Sequence, residues 1–300
     1  MKTMHWMVVA VGLTMAGLCR AGDGAFEINQ ACVDVGCFPG DAPGLPVTIT
    51  TSGTYRLSSN LTAPDTATGG IVVAANDVTI DLNGFRVVGP IACSGTPTTC
   101  TPAISGGGAA GIDAWSYNPT NLVVRNGSIT GMGTGLLLSY DGRAEGIKAI
   151  QNGDAGIRAR AGAAVVNSTG TANGKIGIEG GLIDGCSVSR NPQYGLAVQG
   201  DGAVVRNVVV QGNTGYGIYL TSGASVIGAS VSGNDVGIFA NGGSQILDSV
   251  FKNNTHVAIT NTQGTLGVAR STFVGNNGGG LQWGGTIVEL APNLCGTSMA

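Results

Sequence analysis

The segment GNTGYGIYLTSG at 212–223 is followed by GNDVGIFANGG at 233–243, and the two are variants of one unit. Aligned on a small residue followed by an aliphatic one, the unit recurs at Gly135, Gly156, Gly177, Gly195, Gly217, Gly237, Ala258 and Gly280, in steps of 18 to 22 residues. A second column stands four residues before the anchor: Asn152, Asn173, Asn191, Asn213, Asn254 and Asn276, with Asn234 three before its own. Asn tolerates a left-handed backbone and hydrogen-bonds its own turn. Stacked on equivalent turns, Asn side chains also bond to one another. An apolar, β-favouring column precedes the Asn: Val188, Val210, Val231, Phe251 and Phe273.

A unit near 21 residues is too short for helical repeats, which need about 33 residues or more, and it lacks the leucines of a leucine-rich repeat. What remains is a solenoid whose unit is one coil of two or three short strands. Each strand pairs in parallel with its equivalent one coil on, about 4.8 Å away, and stacking buries what one coil cannot bury alone. Composition agrees. Gly is 53 of 300 residues and charged residues are 10%, a balance suited to β structure with many turns.

At this level the chain resembles the right-handed parallel β-helix, or pectin-lyase-like, superfamily. NDVTIDLNGFRVVG at 76–89 is similar to the first full coil of such proteins, and NLVVRNGSITGMGTG at 121–135 to the next unit. INQACVDVGCFPGDAPG at 28–44 is similar to the start of secreted bacterial members. The expected fold class is all-β, a right-handed parallel β-helix with coils of about 21 residues. The expected layout is an N-terminal cap at 22–60, coils over 61–285 interrupted by a loop at 90–110, and a C-terminal cap or tail at 286–300.

Residues 1–21 read as an export signal: Lys2, a 13-residue apolar run at 7–19, and a small residue, Ala21, at the cleavage position. The run is too short to span a bilayer, which takes about 20 residues. The expected location is secreted: extracellular, periplasmic or cell-surface. Without residues 1–21 the chain has 12 basic and 17 acidic residues, net −5, and no basic cluster, which argues against nucleic acid as a partner. Six cysteines remain. Cys32–Cys37 and Cys93–Cys100 lie in Gly- and Pro-containing loop stretches and are expected to be disulfides in an oxidising compartment. Neither spacing is that of a metal site. Cys186 reads as a buried thiol, and its pairing with Cys295 stays open.

The resemblance implies enzymes that act on acidic polysaccharides, but their marks are absent. There is no Asn-Thr-Asp, Asp-Asp, Gly-His-Gly or Arg-Ile-Lys motif, and no Trp-Ile-Asp-His pattern. A glycosidase needs two carboxyls about 5–9.5 Å apart. Asp113 and Glu179 share an outward position but lie three coils, about 14 Å, apart. His256 reads as a solvated turn residue. No cofactor or metal is implied. Asp184 with Arg206, Asp248 with Arg270, and Arg158 with Glu179 fall in register as ion pairs one coil apart.

The candidate groove lies where the 90–110 loop and SYDGRAEG at 139–146 interrupt the repeat, because insertions into a solenoid gather on its binding face. Trp115, Tyr117 and Tyr140 are the candidate binding aromatics. Asp113, Asp141, Arg143 and Arg158 are the candidate polar or catalytic groups. Tyr219, Phe239 and Trp283 are expected to form a second outward row. The functional expectation is a secreted β-helix without a recognisable catalytic motif that binds extracellular or cell-surface carbohydrate. Two alternatives stay open: a polysaccharide lyase or glycoside hydrolase with an unrecognised site, and a structural or adhesive spacer.

Overall fold

A computed structural model describes residues 24–104, 107–221 and 223–296; the expected export signal and Cys19 lie outside them. The described residues form a parallel β-solenoid with almost no helix. Each coil contributes three short strands, so the solenoid has three faces. The first face is an 11-stranded parallel sheet running from Val47–Ile49 to Trp283–Gly284. The second runs from Phe26–Ile28 to Ile287–Glu289 and the third from Leu61–Thr62 to Leu294–Cys295. These two merge into one 21-stranded sheet because Leu122–Thr130 and Arg143–Ile150 continue through the bend between them.

Register is kept from coil to coil, so like stacks on like. On the first face Ile178, Leu196, Ile218, Ile238 and Ile259 are successive partners. On the third, Val188, Val210, Val231, Phe251 and Phe273 are successive partners. All ten are fully buried. At the bend between second and third faces the backbone turns through the left-handed region, at Asn83, Asn126, Asn167 and Asn207, where a short polar side chain tolerates it.

The seven repeat asparagines stack at the bend that leads into the first face, and each is at most 1% exposed. Asn152 donates from its backbone N (3.0 Å) and from Nδ2 (3.1 Å) to Oδ1 of Asn173. The same pair of bonds links each asparagine to the next, through Asn191, Asn213, Asn234 and Asn254 to Asn276. The second Nδ2 hydrogen of Asn173 goes to the Ala149 carbonyl of the preceding coil, at 3.2 Å. Met132 N starts the chain by donating to Asn152 Oδ1, and Gln282 Oε1 ends it by accepting from Asn276 Nδ2 at 2.8 Å.

The anchor glycines make room for this ladder. A Cβ on Gly156 would lie 2.8 Å from Nδ2 of Asn173 and 2.5 Å from the Gly177 carbonyl oxygen. On Gly195 the corresponding distances to Asn213 and Gly217 are 2.7 and 2.6 Å. Real Cβ atoms do not come so close, so each small anchor and the ladder Asn of the following coil are one device.

Three expectations change in detail. Parallel pairing starts at Phe26–Ile28 with Gly53–Leu57 and ends at Ile287–Glu289 and Leu294–Cys295, beyond 61–285 at both ends. The Pro- and Gly-containing crossing at 34–46 hides that spacing in the sequence. In the last coil the residue stacked on Ala258 is Gln282, not Gly280, since the turn Asn276–Gly279 inserts two residues. Trp283 accordingly takes the core register opposite Ile259 and packs edge-on against Phe273 at 5.1 Å, so it is not in an outward row.

Both short-range disulfides are present, Cys32–Cys37 and Cys93–Cys100, while Cys186 and Cys295 are free thiols. Cys32 belongs to the one-turn helix Gln30–Val33, capped by Asn29. Beside it Phe26, Phe38 and Tyr55 close the first end of the core with centroids 5.0–5.7 Å apart. Cys93–Cys100 ties an antiparallel hairpin, Ala92–Ser94 with Thr99–Thr101, within the expected loop. Gln151 Nε2 holds the hairpin by donating to the Cys93 carbonyl (2.7 Å), and Thr98 Oγ1 donates to the Arg190 carbonyl (2.6 Å). Cys186 takes a place in a buried column with Ser168, Val208, Ala229, Ser249 and Ser271, accepting from Ser168 N at 3.5 Å as the serine hydroxyls accept elsewhere in it. Burial pushes its thiol up to about 11.

Replacing Asn213 by Leu should cost about 1–3 kcal/mol, the penalty of ladder partners left unpaired in the interior. Gly195→Ala should cost about as much by overpacking. Chemical denaturation measures both, and wild-type midpoints would refute the shared-space account. In alkylation without reductant, Cys32, Cys37, Cys93 and Cys100 should stay unlabelled, and Cys186 should label only on unfolding; peptide mapping reads this out.

Candidate functional site

The first face carries the most varied exterior. Asp113, Leu137, Arg158, Glu179, Ala197, Tyr219, Phe239 and Thr260 are successive strand partners, one per coil. Charge occupies one part of this column and aromatic rings another.

Arg158 is the centre of the charged part. It lies 2.9 Å from Asp154 Oδ2 through NH2 and 3.2 Å from Glu179 Oε2 through Nε. Asp154, two residues after the ladder residue Asn152, is 3% exposed and also pairs with Lys175 Nζ at 2.8 Å. Gln199 Nε2 donates to Glu179 Oε1 at 2.8 Å. Burial pushes the Glu179 carboxyl above its ordinary range, against the opposing pull of Arg158. The Arg158–Glu179 pair expected from register is thus part of a half-buried network of four charges.

Farther along the same coils, past the strand ends, Trp115, Tyr140 and Arg160 come together. The Arg160 guanidinium lies 4.7 Å from the Trp115 ring centroid and 5.1 Å from that of Tyr140. The Trp115 indole N–H donates to the Leu138 carbonyl at 2.9 Å, which fixes the ring. Asp113 serves the same turn: Oδ1 accepts from Trp115 N and Ser116 N, and Oδ2 from Ser116 Oγ. Tyr117 is exposed beyond it.

The other candidates separate. Arg143 begins a strand of the second face and pairs with Glu145 at 3.1 Å. Asp141 sits in the intervening turn with φ 54°. Asp113 and Glu179 are three coils apart by register. Sequence reasoning passed over Arg160 and Asp154. Arg160 stands two residues after Arg158, on a turn that no column aligns. Asp154 is marked only by its place beside the ladder.

The aromatic part is larger than expected. Tyr194 stacks on Tyr219 and Tyr216 on Phe239, each pair with centroids 4.7 Å apart and planes within 9°. Tyr194 also packs on a small outward apolar cluster of Ala155, Ile176 and Ala197. Beyond the rings, His256 Nδ1 lies 2.6 Å from Asp235 Oδ1, so this histidine is paired rather than simply solvated. The remaining register pairs, Arg206–Asp184 at 3.0 Å and Arg270–Asp248 at 2.7 Å, lie along the second face and its bend with Arg125–Asp81. Exposed pairs of this kind each contribute about 0–1 kcal/mol.

Among the described residues no helix is long and apolar enough to cross a membrane, and no three His, Cys, Asp or Glu side chains gather as metal ligands.

Residues 161–294 match the family described as "Right handed beta helix region". Among solved structures, the periplasmic alginate epimerase AlgG is 13% identical, with 92% of this chain and 75% of that one covered at a TM-score of 0.55. The Agl-KA catalytic domain is 11% identical, with 83% and 58% covered, at 0.54. The A-module of the Azotobacter vinelandii mannuronan C-5 epimerase AlgE4 is 14% identical, with 92% and 89% covered, at 0.44. The likeness to the first two is one of fold alone. No curated protein matches the chain.

Asp154→Ala should be costly, about 3 kcal/mol or more, because it strips a buried partner from two cations. Glu179→Gln should cost about 1 kcal/mol or less, because Arg158 keeps Asp154. Urea denaturation of the two variants checks the order, and equal costs would contradict it.

Proposed function

We propose that this chain, a right-handed parallel β-helix of the pectin-lyase-like superfamily, is exported and binds a cell-surface or extracellular polysaccharide along the outside of its first face. The observation that carries the reading is the cluster of Trp115, Tyr140 and Arg160 at the end of the strands that present Asp113 and Arg158. A pyranose offers an apolar face to an aromatic ring and hydroxyls to charged groups. Here the ring is held in place by its own indole hydrogen bond, which lowers the ordering cost of contact. The coil repeat of about 4.8 Å is close to the length of one sugar residue, so an extended chain meets equivalent positions on successive coils. A periplasmic alginate epimerase built on the same fold supports the ligand class. The two disulfides support an oxidising destination.

Binding is preferred to catalysis because the candidate groups are already engaged. Asp113 holds a turn, Arg158 lies between two carboxylates, and Arg143 belongs to another face. The enzymatic alternative keeps one favourable feature, the raised carboxyl of Glu179, a group suited to holding a proton.

A glycan array followed by calorimetry on the best ligand tests the reading. Trp115→Ala and Arg158→Ala should each weaken binding about tenfold or more, a loss of about 1.4 kcal/mol. Arg206→Ala on the second face should leave it unchanged. If both first-face variants fold and bind like the parent, the ligand does not lie there. Release of reducing ends or unsaturated products from the panel would favour the enzymatic reading.

A further inference from the structure

The third face differs from the other two in charge. Its strands, from Leu61–Thr62 to Leu294–Cys295, contain no Asp or Glu among the described residues, although the whole chain is net −3. They contain three cations, Arg86, Lys148 and Lys252. The carboxylate-paired cations Arg125, Arg143, Arg158, Lys175, Arg206 and Arg270 all lie elsewhere. Arg86 and Lys148 have no carboxylate oxygen within 4.0 Å among the described residues.

These two cations share a concavity. Arg86, Ser128 and Lys148 are successive strand partners, which sets Arg86 and Lys148 about 10 Å apart over two coils. They line a groove of about 570 Å³ with Asn126, Thr130 and Gln151. Gln151 is also the residue that grips the disulfide hairpin. Beyond it a second hollow of about 330 Å³ runs under the hairpin to Arg190, a cation likewise without a carboxylate partner among the described residues. The hairpin thus stands as a wall beside a track that begins at Arg86 and ends at Arg190.

From this we infer a second binding site, on the third face, for an anionic oligosaccharide bearing carboxylate or sulfate groups. Unpaired cations supply charge-assisted hydrogen bonds to each anionic group. The hydroxyls of Ser128 and Thr130 and the amide oxygens of Asn126 and Gln151, whose nitrogens are held by Asp81 and by the Cys93 carbonyl, suit the sugar hydroxyls between them. Ile150 is the one large apolar side chain in the groove lining, which gives an acyl chain little to pack against. Three cations in a net-acidic chain provide little of the phosphate neutralisation that nucleic acid binding rests on. This site is independent of the first-face reading, since it lies on another wall of the solenoid.

Calorimetry with the full exported chain tests it, using as probes a uronic-acid hexasaccharide, its carboxyl-reduced neutral counterpart, a sulfated hexasaccharide, a short DNA duplex and anionic phospholipid vesicles. The uronate, the sulfated probe or both should bind, with affinity falling as salt rises, and the neutral counterpart should not. Arg86→Gln and Lys148→Gln should each weaken binding several-fold and together at least tenfold, with unfolding midpoints unchanged because neither cation has an ion-pair partner to lose. Bound oligosaccharide should protect Lys148 from acetylation. Trp115→Ala should have no effect on this binding. The site is overturned by equal binding of the neutral probe, by a double variant that binds like the parent, or by tighter binding of duplex or vesicle. Binding lost only in Trp115→Ala overturns it too, while supporting the first-face reading.

Discussion

The glycine column and the asparagine column compete for the same volume, and the solenoid exists because they are resolved together. Each ladder Asn needs an amide-sized space against the preceding coil, and the anchor glycine of that coil vacates it. In return the Asn supplies two donors and a doubly accepting oxygen to backbone and neighbouring amide groups that would otherwise be buried unpaired. Strand register follows from this contact. Once Asn173 sits on Asn152, Ile178 must sit on Ile157, and a slip by one residue would put Arg158 in the core. Apolar burial provides the driving force, but it is indifferent to which aliphatic stacks on which. The ladder is not.

Because the interior is repetitive, the exterior is free to vary, and the three walls have diverged. The second carries compensating charge, with acid and base one coil apart. The first carries a polar knot that gives way to stacked rings. The third carries hydroxyls and uncompensated cations beside a pinned hairpin. Parallel strands at fixed spacing turn each wall into a ruled surface on which like chemistry lines up. That is a suitable surface for a polymer with its own repeat.

The repeat made the architecture legible. Eight anchors and seven asparagines determine coil length, strand direction and the inner columns, and the structure departs from them only where spacing breaks. Gly280 misplaces the last anchor because a turn of two extra residues precedes Gln282. The first coil escapes notice because 34–46 separates its strands. The site was less legible for a physical reason. Outward positions within strands can be counted from the anchors, which is how Arg158 and Glu179 were paired in advance. Turn residues cannot be counted, and Trp115, Tyr140, Asp141 and Arg160 all lie on turns or strand ends. Counting therefore grouped Arg143 with Arg158, although a bend sends them to different walls. Cys186 shows the same limit from inside: the sequence marks it as a buried thiol, but only its neighbours reveal that its sulfur accepts from Ser168 N where a serine hydroxyl accepts in other coils.

The ladder also has a beginning and an end. Met132 opens it with a backbone donor and Gln282 closes it with a side-chain acceptor, while every link between is chemically the same. Such a chain is modular in the strict sense. Excising one unit between two asparagines joins an amide to an identical amide and, in the coils before Ala258, a glycine to an identical glycine, leaving both terminators intact. Inserting one does likewise. Length is therefore the variable this architecture leaves most open to change, and it changes in whole coils, so that the extent of each wall is set by gain or loss of a repeat rather than by point substitution.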